Sequence, residues 1–246
     1  MTSVQSLILY LAAHFLGDYY LQWQNLAQLK NNSPRGLIFH ILLYGAAFLP
    51  TMLVSKPSLP ALAVIILGHG LIDWLKFGYL HRADPKQKEE KRVFRQEAPW
   101  LFLLDQGLHL LLIYLALKLW PAGGLQTWFP SQSFVYIRWI LLLLLVGKPA
   151  NVCFKRVFTR YANYRSKTTT VEGAGSLIGI FERVFTVIFV HLGQYSALGF
   201  LMAAKSLARF KLLSEDQSFA EYYLIGTLYS ILFALLTYLL VFKLLG

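Results

Sequence analysis

The sequence predicts an all-α, polytopic membrane protein: a helix bundle of about seven transmembrane helices with its amino terminus outside. Of 246 residues, 57% are hydrophobic and only 14% charged, and the mean hydropathy is +0.51; soluble domains carry about 25% charged residues. Apolar runs of about 20 residues, the length that crosses a bilayer, recur along the chain. The 23 Lys and Arg residues, against 12 Asp and Glu, gather between those runs, as membrane topology and contact with anionic lipid require. The basic stretches have no accompanying soluble module, which argues against nucleic acid as a partner. The single cysteine, Cys153, excludes an internal disulfide and a cysteine-rich metal site. No basic segment precedes the first apolar run, so no cleavable signal is expected.

The first helix is expected from about Val4 to Trp23, followed by a polar connection from Gln24 to Arg35. Ser33-Pro34 is a helix start, with serine as N-cap and proline in the first turn. Helix 2 then covers Gly36 to Val54, and a short turn leads to helix 3, Leu59 to Leu80. His81 to Pro99 is charged and reads as an exposed loop or surface helix. Helix 4 is placed at Trp100 to Trp120 and helix 5 at Phe134 to Gly147, with a continuation to Phe154 left open. Lys148 to Glu172 is basic and polar. Ser176 to Leu213 is apolar but interrupted by Glu182, Arg183, His191, Gln194, Lys205 and Arg209. It is too short for two spans and too long for one, so a single long helix and a broken pair both remain open. The last helix covers Tyr222 to Leu245. The organisation expected is a five-helix bundle at 1–154, a cytoplasmic basic linker at 155–174 and further helices of the same membrane domain at 175–246.

Loops after helices 1, 3 and 5 hold most of the Lys and Arg, whereas those after helices 2 and 4 hold only Lys56 and Lys118. The odd-numbered loops are therefore expected in the cytoplasm. Lys205, Arg209 and Lys211 fit this scheme poorly.

The chemistry lies in a recurring pair. His14 and Asp18 are four residues apart in the first run, as are His69 and Asp73 in the third. In the fourth run the order reverses, Asp105 then His109. Residues four apart share a helix face. Five Asp and six His in random order would give about a quarter of one such pair. Ionisable side chains inside membrane helices are costly and by default mark function. Helices 1 and 3 run inward and helix 4 outward, so the reversal puts Asp18, Asp73 and Asp105 at one level. His14, His69 and His109 then lie at a second level, about 6 Å away at 1.5 Å per residue, and His40 is near the start of helix 2. Two layers of imidazole and carboxylate suit one or two divalent ions, zinc first, with manganese or iron compatible. Gly17, Gly68, Gly70 and Gly107 flank the pairs and would allow close backbone approach. Any single pair reads equally well as a hydrogen bond that glues helices; three pairs in register with His40 weigh against that. Lys76 either holds a substrate phosphate or snorkels to the interface. His81 and His191 lie away from the pairs. Glu182-Arg183 and Glu221 form a second polar site or, preferably, ion pairs that fix helix packing.

The stretches His14–Asp18, Gly68–Asp73 and Leu104–His109, with Gly175–Arg183, Ala203–Ser206 and Ala220–Thr227, resemble a bacterial membrane family, the domain of unknown function 3307. That resemblance implies a protein of the bacterial cytoplasmic (inner) membrane and brings no activity. A looser resemblance is to membrane-bound metal-dependent hydrolases, and the ligand types are similar to those of zinc phospholipases C.

The leading expectation is a metal-dependent hydrolase of a lipid or polyprenyl-type amphiphile. His14, His40, His69, His109 and some of the aspartates hold the metal, Asp73 is the general base and Lys76 contacts substrate. A transporter of a metal ion or small solute, or a non-catalytic scaffold, would use the same residues.

Overall fold

The computed structural model describes residues 3–82, 98–158, 161 and 173–245. Most of the two basic stretches expected at 81–99 and 155–174 lies outside the described residues. The described chain is helical, with one isolated bridge, Ser55 to Leu125, as its only extended pairing. Among the described residues, six helices are long and apolar enough to cross a membrane: Pro34–Val54, Leu59–Leu80, Pro99–Leu119, Ser131–Val157, Ala174–His191 and Gln217–Leu244. The first apolar run is not among these six. It is α-helical over Ser3–Phe15 (α1) and then widens to a π-helix over Leu16–Tyr20, closed by Leu21 N donating to Leu16 O.

The chain divides into two compact units, residues 1–141 and 142–246. In the first, the segment expected as a polar connection is a helix, α2 (Gln24–Asn32), which folds back on α3 (Pro34–Ala46). Ser33 caps α3 as expected, its Oγ accepting from Gly36 N at 3.1 Å. The hairpin closes because Gly36 has no side chain: a methyl there would run into the Leu29 backbone. After a break, α4 (Leu49–Val54) completes the second span. α5 (Leu59–Arg82) packs on α3 and on α6 (Pro99–Leu119), which in turn packs on α1. The amphipathicity is inverted relative to a soluble helix. α5 buries His69 and Asp73 and exposes Leu67, Leu71, Trp74 and Leu75, the arrangement expected where lipid replaces water outside. Gly123 to Gln126 clasps the α4–α5 turn through backbone bonds with Val54 and Lys56.

In the second unit, α7 (Phe134–Val146), which begins in the first, breaks at Gly147 and gives way to α8 (Lys148–Val157). The interrupted stretch is a broken pair: α9 (Ala174–His191), a turn with Gly193 at φ +68°, and α10 (Tyr195–Leu207). The turn needs glycine because φ is positive there. At 1.5 Å per residue α10 is about 20 Å long, short of the roughly 30 Å of a bilayer core. α11 (Phe210–Glu215) leads to α12 (Gln217–Leu239). Asp216 caps α12, accepting from Phe219 N at 2.9 Å, and α12 packs along α9.

Candidate metal centre

The first unit brings all seven expected residues together. His14, His40, His69 and His109 are at most 1% exposed, and Asp18, Asp73 and Asp105 at most 8%. The three rings of His14, His69 and His109 adjoin one another, with centroids 4.3–6.2 Å apart. The carboxylates form the other level. Lys30 pairs with Asp73 at 2.8 Å and Asp18 at 3.7 Å. Gln106 Nε2 donates to Asp18 and to Asp105, each at 3.2 Å. His40 belongs to this level: its Nε2 is 3.4 Å from both Asp18 Oδ1 and Asp73 Oδ2.

The i,i+4 partners do not all meet directly. His69 Nε2 is 3.3 Å from Asp73 Oδ2, but His109 Nδ1 is 4.0 Å from Asp105 Oδ1. Asp18 turns across the bundle to His40. This follows from the π turn, which contains Asp18 and changes its angular position relative to His14. Gly17 allows the turn to press on α3, where a methyl would sit 2.9 Å from the Tyr44 ring. A methyl at Gly107 would meet nothing within 4 Å, so that glycine brings no backbones together.

His40 Nε2 and His69 Nε2 face each other at 3.1 Å. Two neutral imidazole lone pairs repel at that distance unless a proton or a cation lies between them. Around a tetrahedral ion with bonds of about 2.0–2.1 Å, ligand atoms stand about 3.3–3.4 Å apart. Four separations among Asp18, His40, His69 and Asp73, from 3.1 to 3.4 Å, have that size. Two groups offer ligand atoms all within 4.8 Å of one another: Asp18, His40 and His69; and His69, Asp73 and His109.

The surroundings orient the rings. His109 Nδ1 lies 2.8 Å from the Asp105 backbone carbonyl. A carbonyl only accepts, so Nδ1 carries the proton and Nε2 keeps its lone pair, the tautomer that second-shell bonds select in metal sites. His14 Nδ1 meets the Tyr44 hydroxyl at 3.1 Å, and the Tyr44 ring stacks on His69 with centroids 3.6 Å apart. The Nε2 atoms of His14 and His109 are buried with no hydrogen-bond partner among the described residues.

Lys30, Gln106 and Tyr44 are the participants that sequence reasoning missed. Its position in the polar connection Gln24 to Arg35 groups Lys30 with the loop cations. Yet α2 turns it inward, and its contact with Asp73 is an ion pair rather than an aligned hydrogen bond. Burial opposes its charge, but Asp73 and then Asp18 outweigh burial and raise its pKa above the ordinary lysine value. Gln106 is adjacent to Asp105 within the recurring motif, and Tyr44 is one turn from His40; both signals were in the spacing. Lys76 neither stands free nor snorkels: its Nζ pairs with Asp105 Oδ2 at 3.1 Å. His191 meets Tyr238 at 3.2 Å in the second unit, and the side chain of His81 lies outside the described residues.

Residues 6–136 match the model of a family described as a protein of unknown function (DUF3307). The match takes in just over half of the chain, and the chain belongs to that family. It spans every residue of the cluster and falls within the first unit; the stretches Gly175–Arg183, Ala203–Ser206 and Ala220–Thr227 lie outside it. No curated protein and no solved structure matches the chain significantly.

Proposed function

We propose that the protein is an integral-membrane, metal-dependent hydrolase, with His40, His69 and Asp18 as metal ligands and Asp73 as general base. The observation that carries this reading is that His40 Nε2 stands 3.1 Å from His69 Nε2 and 3.4 Å from Asp18 Oδ1 in a buried cluster, with ligand atoms of all three within 4.8 Å of one another. Three protein ligands beside an open position are the pattern of catalytic rather than structural zinc. Bound there, a divalent ion lowers the pKa of a water and polarises a phosphoryl or acyl oxygen.

The charge balance supports the same reading. Asp18, Asp73 and Asp105 bring three negative charges, and Lys30 and Lys76 two positive ones, leaving one net negative charge in a buried site. Burying unpaired charge is costly, so the cluster attracts a cation. With a divalent ion held by His40, His69 and Asp18 the balance would become one positive charge, which would help a nearby water give up a proton. Asp73 reaches the two imidazoles and accepts the water's proton, while Lys30 holds its carboxylate in place. His14 and His109 complete the second layer and Lys76 positions Asp105. The cluster belongs to helices whose outer faces are apolar, so the substrate class is an amphiphile, a phospho- or acyl-ester of lipid or polyprenyl type. The setting proposed is the bacterial cytoplasmic membrane, with the loops after helices 1, 3 and 5 inside. Thr127→Cys should then label with a membrane-impermeant thiol reagent in intact cells and Asn32→Cys, in the connection after helix 1, should not; the reverse pattern overturns the orientation.

Metal content of the purified protein, together with release of phosphate or fatty acid from defined lipids, tests the function. One ion per chain is expected. His69→Ala should lose metal and hydrolysis together. Asp73→Asn should keep the metal and lose hydrolysis about 100-fold or more, the usual share of a general base. Absence of metal from the wild-type protein, with recovery of stability in the His69→Leu, Asp73→Leu double mutant, ends this reading. A transporter is the second reading. It is favoured by the break between α9 and α10 at Gly193, since interrupted helices shape transport sites; ion uptake into vesicles without lipid turnover would select it.

A further inference from the structure

The second unit contains a cavity of about 200 Å³ bordered by α8, α9, α10 and α12. It lies outside the family match and is independent of the metal reading. Glu182, 5% exposed, lines it. Its Oε2 accepts from Lys205 Nζ at 2.6 Å, and Lys205 also donates to Thr227 Oγ1 at 2.9 Å. The expected ion pair is therefore made with Lys205, which explains why that lysine does not follow the loop-charge rule. Glu221 is exposed and accepts a bond from Gln217 Nε2 at 3.3 Å. The other oxygen of Glu182, Oε1, is buried and has no hydrogen-bond partner among the described residues. A buried acceptor of this kind is costly unless a donor meets it.

Arg183, Lys205 and Arg209 border the same cavity, three cationic groups against one carboxylate. Arg183 holds the end of α7, donating to the carbonyls of Val146 and Gly147 and to Asn151 Oδ1 at 2.7 Å. Lys205 has three N–H donors and spends two on Glu182 and Thr227. Arg209 lies over the Phe219 ring at 5.9 Å. The remaining wall is largely apolar and aromatic, with Phe154 and Ile178 among its members.

We propose that this cavity is a second binding site, for an anionic phosphoester that carries a neighbouring hydroxyl donor, as a phosphoglycerol group does. Three cations against one carboxylate leave the wall a positive surplus for the phosphate, which Arg209 and the third N–H of Lys205 can meet, and the hydroxyl answers Glu182 Oε1. The volume is below the roughly 300–1,000 Å³ of drug-sized pockets, so it takes a headgroup and not a whole lipid. The same chemistry is offered by an anionic lipid headgroup and by free glycerol phosphate.

The test uses the purified full chain in detergent, with native mass spectrometry and titration of short-chain phosphatidylglycerol, short-chain phosphatidylcholine and free glycerol phosphate. Phosphatidylglycerol should bind one per chain, at least about tenfold more tightly than phosphatidylcholine, which lacks the hydroxyl donor and the net charge. Arg209→Gln and Lys205→Met should each weaken it about tenfold, the value of one charge-assisted bond, and Glu182→Gln should narrow the gap between the two lipids. Binding of glycerol phosphate with the same dependence on Arg209 identifies a soluble ligand; binding of phosphatidylglycerol alone identifies a lipid. Arg209 is at the cavity edge and partly exposed, so Arg209→Gln reports even where Lys205→Met fails to fold. Equal affinity for the two lipids, unchanged affinity in Arg209→Gln, or no binding of either glycerol-bearing probe overturns the proposal.

Discussion

In residues 1–141 three buried carboxylates face two ammonium groups and four imidazoles; in residues 142–246 three cationic side chains border a cavity that holds one carboxylate. The first arrangement leaves negative charge and ligand atoms at metal-site spacing, and so favours a cation. The second leaves positive charge and a lone acceptor, and so favours an anion with a donor. The means differ as well. The first unit draws its cluster from polar residues inside α1 and the π turn after it, α2, α3, α5 and α6. The second breaks its helices at Gly147 and Gly193, and its cavity is lined from the start of α9 and the far end of α10. Arg183 shows the cost of a break and its remedy: its guanidinium donates to the Val146 carbonyl at the end of α7 and adds a second bond to the Gly147 carbonyl, which also accepts from Asn151 N.

That contrast can be broken most forcefully at Arg183. Arg183→Met should destabilise the protein by at least about 3 kcal/mol, because charged hydrogen bonds are worth about 1.5–3 kcal/mol each and several are lost together. Thermal unfolding in detergent measures this, and a change below 1 kcal/mol, on the scale of an exposed pair, would mean that the end of α7 does not depend on it. Chelation comes next. If the first unit holds a metal at about 100 times its dissociation constant, removing it should cost about 2.7 kcal/mol. The lowered melting temperature should be absent in His69→Ala, and phosphatidylglycerol binding should survive the chelator. Loss of both ligands on chelation would erase the distinction between the units. The smallest effect is expected at Lys76. Its ion pair with Asp105 is 15% exposed on the lysine side, and Gln106 still meets the aspartate, so Lys76→Met should cost about 1 kcal/mol.

The sequence reading reached further in the first unit, and the reason is geometric. Regular helices convert spacing into position, so His14, His69 and His109 could be set at one level and the aspartates at another from residue numbers alone. The reading failed where a residue's place depends on tertiary folding. Lys30 lies in a polar segment whose return onto α3 requires the Leu29–Gly36 contact, and no periodicity announces that. Glu182 and Arg183 are neighbours in sequence, which suggested a shared role. On a helix adjacent residues point about 100° apart, and they take different partners, Lys205 for one and the end of α7 for the other. The break between α9 and α10 was legible only as an awkward length, because Gly193 announces a positive φ only once the turn is known.

The π turn at Leu16–Tyr20 closes the first helix, and it winds its residues more widely than the α-helix before it. A variant that winds these residues as a plain α-helix should bring Asp18 back to the face of His14, four residues earlier. Such a variant would gain a regular helix yet carry Asp18 away from His40 and Lys30. The wider turn therefore acts as a spacer in the reading of the helix, and its loss should yield a well-wound first helix whose polar cluster has come apart.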